Sequence, residues 1–585
     1  MFSEKNKSGL VIDTIDIADL DTPEKKSQYL TKHPIAYFCA EYAIDDSIPI
    51  YAGGLGILAG DTILEAQEEN IPFVAVGLFY RRGFASYPKI STKNQSPLDP
   101  AQSGFELVKN VRGDRILVSI PVGDREISCQ AWVRTFGSAV LYLLDINIPE
   151  NNEDDRKICT YLYPDSFENR MTHEIILGIG GVELLKLIHV NPSVYHLNEG
   201  HTGFAALALA VEYMKNNTDA PRLADAIEKV RPLVVGTKHT ILPGAGIFFT
   251  KEQCKKNLFR YLSQHGVSVD ELLSLGTEND DAEIFSTTRF LLRVSARANA
   301  VSKLHSLAEA KVPSPLHKEL IPITNGINAT RWMMPALGTS ETSAESLWSI
   351  HTEAKRQLFE YIKAVNGIEL NPESLAIVWA RRIVEYKQPL LIFSDVERLR
   401  RILTDAKKPV AIIFAGNAYA GDSDAVKLLE ETLMFIKSMN LPNILYLHDY
   451  SLSLCKKLSA GADVWLNTPQ NGKEASGTSG MKAGVNGALQ FSVEDGWVGE
   501  ANLKDSMWSI EGSNIAEVIY STLENKIIPE FFNREGYGMP DTWIAKMQKT
   551  RAVVLKDYST RRMLADYMSK LYFPPRATAE SDEAV

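Results

Sequence analysis

The chain has 585 residues, 45% of them hydrophobic and 23% charged, which is the composition of an ordinary soluble globular protein. The chain is longer than a single hydrophobic core usually supports, so two large domains are expected. Its net charge of −11 is unfavourable for nucleic-acid binding. The five cysteines are scattered without Cys-x-x-Cys spacing, so neither a disulfide framework nor a metal site is expected. The N-terminal segment 1–7 is mostly polar and has no apolar signal core, and no run of the chain reaches the roughly 18 apolar residues of a membrane span. We therefore expect a cytoplasmic protein with no membrane partner.

The first buried strand is predicted at 35–40, and a glycine-rich turn, Tyr-Ala-Gly-Gly-Leu-Gly, follows at 51–56. An apolar helical pattern begins directly after this turn, at Ile57. A strand, a glycine turn and a helix in succession bring backbone amides close to a phosphate or a sugar. Close packing of the helix on the strand uses glycines equally often, so this motif alone leaves both interpretations open.

A second polar strand end follows in the first half of the chain. After a predicted strand at 71–80 and a strand-rich insertion at 116–148, an apolar strand ends in Asn-Glu-Gly-His at 198–201. A similar strand end lies at 234–240. Because the carboxyl ends of parallel strands line the crevice of an open α/β sheet, His201 is a ligand candidate. Capping of the next helix, or satisfaction of buried amides, is the structural alternative.

The second half shows repeated strand–helix units. A helix is predicted at 291–310 and another at 346–365. Four apolar strands with helical stretches between them are then predicted, at 376–380, 410–415, 444–447 and 464–466. This alternation is typical of βαβ crossovers and indicates a parallel sheet.

Domain boundaries follow from these patterns. A turn at 323–326 marks the change of pattern, so the first domain is predicted at 1–325 and the second at 326–572. A long final helix at 541–572 closes the second domain, with packing back on the first domain left open. The composition of the tail, 573–585, indicates disorder.

Two patterns in the second half indicate anion binding. The stretch 474–487 begins with Glu474, runs through small and hydroxylated residues, and enters a helix that carries Lys482. Thr478 lies four residues before Lys482, on the same helix face, so a hydroxyl and a Schiff-base-forming amine are available to a phosphorylated aldehyde. The turn Arg-Arg-Ile-Val-Glu-Tyr-Lys at 381–387 places three cations after a buried strand. A flexible loop with a surface lysine, and a solvated charged turn, are the structural alternatives.

The stretch 474–487 resembles the pyridoxal-phosphate site of the α-glucan (glycogen, starch and maltodextrin) phosphorylases. The resemblance covers nearly the whole chain, including segments 51–61, 177–181, 196–204, 324–332, 381–387, 487–497 and 559–567. Several spellings, such as Gly-Thr-Ser-Gly-Met-Lys, are similar to the compact bacterial and archaeal branch. The fold that this resemblance implies is α/β, with two Rossmann-like domains facing across a cleft, as in the glycosyltransferase B-type phosphorylase fold.

The resemblance also implies the roles of individual residues. Lys482 would form a Schiff base with pyridoxal 5′-phosphate, whose phosphate would be bound by Thr478 and Ser479. Arg382 and Lys387 would hold the substrate phosphate against the cofactor's phosphate, and Gly54, a cofactor-binding residue, would add a backbone amide there. The residues implied around the transferred glucose are Leu55, His201, Asn325, Tyr386, Glu474, Ser476 and Gly477.

The implied reaction is reversible phosphorolysis of an α-1,4-glucan to α-glucose 1-phosphate, with retention of anomeric configuration. Cleavage of a glycosidic bond needs an acid for the leaving oxygen and stabilisation of an oxocarbenium-like transition state. In this family the cofactor's phosphate serves as the proton relay. The implied partners are a glucan and phosphate or glucose 1-phosphate; whether the chain forms a homo-oligomer is left open.

Three departures from the family pattern bear on substrate affinity. The turn Gly-Asn-Ala-Tyr-Ala at 416–420 replaces a Gly-Lys-Ala-His-Pro-like turn, Gln388 replaces a common arginine, and 470–473 is less basic than usual. Two alternative functions remain open at this stage. One is a nucleotide-sugar glycosyltransferase of the same general fold, which has no use for a lysine in this motif. The other is a catalytically inactive carbohydrate-binding or scaffold protein.

Overall fold

The computed structural model describes residue 20 and residues 22–87, 97–163, 166–241, 248–277, 283–312, 319–338, 342–534 and 539–575. Its strands are β1 Ile35–Phe38, β2 Phe73–Leu78, β3 Ser86–Tyr87, β4 Glu106–Leu107, β5 Leu117–Val122, β6 Arg125–Phe136, β7 Ala139–Asp145, β8 Val194–Asn198, β9 Val234–Lys238, β10 Phe248–Thr250, β11 Ile284–Ser286, β12 Arg297–Ala300, β13 Ile321–Pro322, β14 Leu375–Ala380, β15 Val410–Ala415, β16 Ala418–Tyr419, β17 Ile444–Leu447, β18 Val464–Asn467, β19 Leu489–Ser492 and β20 Met507–Ser509.

The helices are α1 Pro23–Lys32, α2 Gly54–Glu68, α3 Glu153–Lys157, α4 Phe167–Ile175, α5 Gly181–Leu187, α6 Phe204–Asn216, α7 Leu223–Val230, α8 Lys251–Ser263, α9 Val269–Gly276, α10 Thr287–Val294, α11 Lys303–Ala310, α12 Ala329–Trp332, α13 Ala344–Asn366, α14 Val396–Leu403, α15 Ser423–Met439, α16 Leu452–Gly461, α17 Ser479–Gly484, α18 Ile515–Thr522, α19 Ile528–Phe532, α20 Asp541–Asp557 and α21 Thr560–Asp566. Within the described ranges, no helix combines the length and the apolar character needed to cross a bilayer.

The first large sheet is mixed. Its parallel part has the order β7-β2-β1-β8-β9-β12-β13, and β6, β5 and β4 extend it through antiparallel pairs. The strands predicted as an insertion at 116–148 therefore continue this sheet. The order reverses between β1 and β8, which makes a switch point there, and ligands of open α/β sheets bind outside the carboxyl ends of the strands at such a point.

The second large sheet confirms the predicted parallel arrangement. It has six strands in the order β17-β15-β14-β18-β19-β20, with every pair parallel. Numbered along the chain, this order is 3-2-1-4-5-6, the doubly wound arrangement. Its switch point lies between β14 and β18, so the residues after Ala380 and after Asn467 meet at one crevice.

Small residues allow the helices to approach the first sheet. A Cβ added to Gly181 would lie 2.5 Å from Phe38 Cε1, and one added to Gly178 would lie 2.5 Å from the backbone nitrogen of Ala205. This close packing occurs where a π-helical turn, Ile176–Gly180, joins α4 to α5. Hydrophobic side chains of β1 and β8 are fully buried beneath these helices.

Two predicted helices are wrong in extent. The helix predicted at 291–310 is α10, the strand β12 and α11, because Arg297–Ala300 pairs between β9 and β13. The helix predicted at 541–572 is interrupted at Ser559, whose hydroxyl accepts from the Arg562 amide and caps α21. The segment after this break packs in the hydrophobic cluster of the first sheet, which includes Tyr567 and Phe573. Residues 576–585, in the predicted tail, lie outside the described residues.

Candidate active site

The glycine turn after β1 is organised by a buried carboxylate. Glu41 is 3% exposed, and its Oε2 accepts from the amides of Ala52 at 2.7 Å and Gly53 at 3.2 Å, while its Oε1 accepts from the Tyr163 hydroxyl at 2.6 Å. Helix α2 then begins at Gly54. A Cβ at Gly53 or Gly54 would meet nothing within 4 Å, so the space in front of this turn is open to a ligand.

His201 and Asn325 come from the carboxyl side of the same sheet. His201 is 6% exposed, and burial, with a smaller contribution from Arg170, lowers its pKa to about 3. Its imidazole is therefore neutral at physiological pH. Neither His201 Nε2 nor Asn325 Oδ1 has a hydrogen-bond partner among the described residues, although both atoms are buried. Both atoms thus have hydrogen-bonding capacity for a polar ligand or an ordered water.

The cationic turn after β14 divides its charges between the interior and the crevice. Arg381 is 7% exposed, donates from Nη2 to the Leu466 carbonyl at 2.8 Å, and its pKa is lowered to about 10 by burial. Arg382 is exposed and has no hydrogen bond or ion pair with any described residue. Lys387 is buried and forms an ion pair with Glu474. Arg382 is therefore the cation most available to an anion.

Lys482 is a buried amine that has no counter-ion among the residues that the structure describes. It is 3% exposed, and burial lowers its pKa. Its Nζ lies 4.3 Å from the centroid of the Trp332 ring, and this Nζ atom has no hydrogen bond or ion pair with any described residue. Trp332 is held by a hydrogen bond of 2.8 Å from its Nε1 to Asp61 Oδ2. Because its pKa is lowered, the amine is more readily neutral, the state in which it can attack an aldehyde.

Hydrogen bonds from the 495–497 segment hold the backbone at the start of the lysine motif. The Glu474 amide donates to Asp495 Oδ2 at 2.9 Å, and the Ser476 carbonyl accepts from the Trp497 amide at 2.9 Å. Gly477 adopts φ +73°, in the left-handed region that favours glycine. These contacts present the 474–479 segment to the crevice in one conformation.

One cavity of about 750 Å³ unites these elements. Its volume lies within the range of small-molecule sites. Every site residue predicted from the sequence lines it, namely Gly54, Leu55, His201, Asn325, Arg382, Tyr386, Lys387, Glu474, Ser476, Gly477, Thr478, Ser479 and Lys482. The roles of these residues stay predictions, since lining a cavity does not assign a role.

The structure adds residues that sequence reasoning missed. Glu41, Tyr163 and His239 also line the cavity. The pKa of His239 is lowered to about 3, first by burial and then by neighbouring histidines, and its Nε2 lies 3.2 Å from Asn198 Oδ1. Its position after β9 was a usable signal. Tyr163 follows no strand or motif, so the sequence offered no signal for it.

The departures from the family pattern differ in their position. Asn417 lines the cavity, and its Nδ2 donates to the Tyr450 carbonyl at 2.9 Å. Gln388 is not among the lining residues and adopts φ +49° at the end of the cationic turn. The Asn417 change therefore bears on ligands more directly than the Gln388 change.

The residues present fit pyridoxal phosphate. Lys482 supplies a buried amine with no counter-ion among the described residues, the hydroxyls of Thr478 and Ser479 lie in the same cavity, and Gly54 leaves open space. In the part of the chain that the structure describes, no group of three or more metal-binding side chains is present.

Comparisons with known proteins agree with this geometry. The family model for carbohydrate phosphorylase matches residues 336–507. The chain is 34% identical to the maltodextrin phosphorylase of Thermococcus litoralis, over 94% of this chain and 71% of that protein. It is 32% identical to the glycogen phosphorylase of Aquifex aeolicus, over 92% of this chain and 86% of that one. The chain belongs to the carbohydrate phosphorylase family.

Proposed function

We propose that the chain is an α-1,4-glucan phosphorylase. It transfers the non-reducing terminal glucose of a glycogen- or maltodextrin-like glucan to inorganic phosphate, reversibly, and forms α-D-glucose 1-phosphate with retained configuration. The observation that carries this proposal is that Lys482 lines the same cavity as Arg382 and His201, while it is buried and has no counter-ion among the described residues. The named relatives, which are maltodextrin and glycogen phosphorylases, support the same activity.

Two domains form the enzyme under this proposal. Residues 1–325 form a Rossmann-like domain on the glucan side of a cleft, and residues 326–572 form a second one that carries the cofactor and phosphate sites. The two switch points, one in each large sheet, support this division, since both contribute residues to the cavity. The five cysteines are all buried and free, which suits a cytoplasmic location.

Pyridoxal phosphate is the cofactor in this proposal, with Lys482 as the residue that holds it covalently. When bound, the cofactor supplies a phosphate group that can donate and accept a proton next to the substrate phosphate. Thr478 and Ser479 donate hydrogen bonds to that group, with the amide of Gly54. Ser479 Oγ already accepts from Trp465 Nε1 at 3.2 Å, so its own proton is free to be donated.

Arg382 and Lys387 hold the substrate phosphate. Two cations beside two phosphate groups offset their mutual repulsion, and a guanidinium can pair with two phosphate oxygens at once. Because Lys387 is paired with Glu474 in the structure, the entry of phosphate requires Lys387 to share its charge with the new anion. Arg382 carries no such bond within the described residues and is the first cation that an entering phosphate meets.

The transferred glucose is bound by neutral and anionic acceptors. His201, Asn325 and Glu474 bind its hydroxyls, and Ser476 and Gly477 contribute through a backbone that is already fixed. Leu55 makes a backbone contact to the sugar, and Tyr386 lies beside it. A neutral imidazole at His201 can donate and accept hydrogen bonds without placing a positive charge beside the oxocarbenium-like transition state.

The test is the formation of glucose 1-phosphate from maltodextrin and phosphate by the purified protein. Lys482→Ala should remove the near-visible absorbance of the bound cofactor and the activity together. Arg382→Ala should retain the absorbance and lose turnover, whereas Arg222→Ala, at an arginine whose side chain is 72% exposed, should behave as wild type. Glucosyl transfer from a nucleotide sugar in place of glucose 1-phosphate would overturn the proposal, as would full cofactor occupancy without product.

A further inference from the structure

A second, much smaller cavity adjoins the main one at His201. Its volume is about 20 Å³, which is room for one water molecule. His201, Arg170 and Tyr163 line both cavities, so these side chains form the wall between them. Glu174, on helix α4, lines only the small cavity and is 2% exposed.

Four buried polar atoms that belong to residues lining this small cavity have no hydrogen-bond partner among the described residues. They are both carboxyl oxygens of Glu174, the Nε of Arg170 and the Nε2 of His201. Buried polar atoms are nearly always paired with protein or with ordered water. Four such atoms around a space the size of one water therefore indicate a built polar site.

We propose that this cavity binds one water molecule that joins Glu174, Arg170 and His201, and that Glu174 is thereby a positioning residue for His201. The functional part rests on the proposed phosphorylase activity, in which His201 contacts the transferred glucose. Glu174 itself reaches that glucose only through His201, because it lines the small cavity alone.

The donors and acceptors around the water determine where the protons lie. Burial raises the pKa of Glu174 to about 8, so at neutral pH its carboxyl group is protonated and can donate. Arg170 Nε can only donate. The water accepts from these two groups and donates one of its protons to His201 Nε2. The proton of the neutral imidazole is then on Nδ1, and the ring is held in one tautomer and one orientation.

Ionisation of Glu174 would alter this arrangement, since a carboxylate cannot donate to the water. The titratable or charged side chains that line the small cavity or interact with Glu174 are Arg170, His173, His201, Tyr80, Tyr163 and Cys254. His173 does not take part in this change of protonation. Its pKa is lowered to about 4, and its Nε2 is 2.8 Å from the Ile158 carbonyl.

The experiment compares Glu174→Gln, Glu174→Leu and a control, Glu168→Gln, at an exposed acid on the same helix. Glu174→Gln keeps a neutral donor, so its kcat/KM for glucose 1-phosphate at pH 7 should stay within about twofold of wild type. It should also lack the fall in wild-type activity above about pH 8. Glu174→Leu should lower kcat/KM about five- to tenfold, the worth of one hydrogen bond, without loss of bound cofactor. Equal kinetics and equal pH profiles in all four proteins would overturn the positioning role.

Two measurements do not depend on activity. A crystal structure that resolves waters should show one within hydrogen-bond distance of His201 Nε2 and Glu174, and ¹⁵N NMR of histidine-labelled holoenzyme should show protonation at Nδ1. A dry cavity or an Nε2-protonated His201 would refute the proposal even if Glu174→Leu failed to fold. If wild type made no glucose 1-phosphate, the proposed function would fail while these two measurements still decided the water site.

Discussion

Replacement of Asp61 by Asn tests the support beneath Lys482. Asp61 is 1% exposed, and its Oδ1 accepts from Arg331 Nη1 at 2.9 Å. Its Oδ2 accepts from Trp332 Nε1 at 2.8 Å and from the Asn328 amide at 3.1 Å. Every one of these partners is a donor, so the amide group of asparagine must face at least one of them with its own N–H groups. The Arg331 charge, in a side chain that is 5% exposed, also loses its counter-ion.

The expected loss of stability is about 3–5 kcal/mol, the usual cost of removing one partner of a buried ion pair. Denaturant unfolding followed by tryptophan fluorescence measures it, with Asp505→Asn as the matched control. Asp505 pairs with Lys549 at 2.9 Å but its side chain is 83% exposed, so its replacement should leave the unfolding midpoint close to that of wild type. Equal unfolding midpoints for the two variants would refute the reasoning. Asp61→Asn should also weaken cofactor retention, because Trp332 lies against Lys482.

Three further predictions concern backbone contacts and the lysine. Gly326→Ala would place a Cβ 2.4 Å from the Ser559 carbonyl, so it should destabilise the protein by about 1–3 kcal/mol, measured by thermal melting; an unchanged Tm would contradict this. Gly496→Ala, at φ +56° and 2.3 Å from the Ser476 carbonyl, should raise the KM for glucose 1-phosphate, and an unchanged KM would count against the placement of Ser476. Since burial lowers the pKa of Lys482, the unfolded state binds more protons between this lowered pKa and pH ~10, near the pKa of a free lysine, and the destabilisation is fully present below that interval. Cofactor-free Lys482→Met should therefore have a larger free energy of unfolding than cofactor-free wild type at pH 7. This difference in unfolding free energy should narrow as the pH rises through that interval.

The second sheet was predictable from the sequence because its strands are short apolar runs between helical stretches. Val410–Ala415 is fully buried, and its uninterrupted run of apolar residues indicates this from the sequence alone. The strand β12, Arg-Ala-Asn-Ala, lacks the β-branched and aromatic residues that mark strands. It is a strand because its backbone pairs on both sides, with β9 and β13, and such pairing is invisible to a local pattern. Strand order, which creates both switch points, is equally a property of the whole sheet.

Within the site, residues that belong to compact motifs were predictable and those that support them were not. The lysine motif and the cationic turn each follow a strand end. Residue types suited to anion binding therefore occur at the positions where an α/β sheet binds its ligands. Glu41 is 11 residues before Ala52, to whose amide it binds, and Tyr163 is 122 residues beyond Glu41. Contacts over such separations depend on the fold, and only the structure shows that Glu41 holds the glycine turn in place.

Under the proposed function, the ion pair between Lys387 and Glu474 would connect phosphate binding with glucose binding. The resemblance assigned Lys387 to phosphate and Glu474 to glucose, and the structure shows these two groups bonded to each other. A phosphate that binds Arg382 and approaches Lys387 competes with Glu474 for the lysine charge, and a Glu474 released in this way can accept hydrogen bonds from a sugar. Phosphate and glucose binding are then coupled through one lysine, with equal effect in both directions.

Glu474→Gln, which removes the competing charge, should strengthen phosphate binding and weaken the dependence of glucose affinity on phosphate. Calorimetric titration of glucose with and without phosphate measures this coupling, and an unchanged coupling in the variant would show that the ion pair does not carry it.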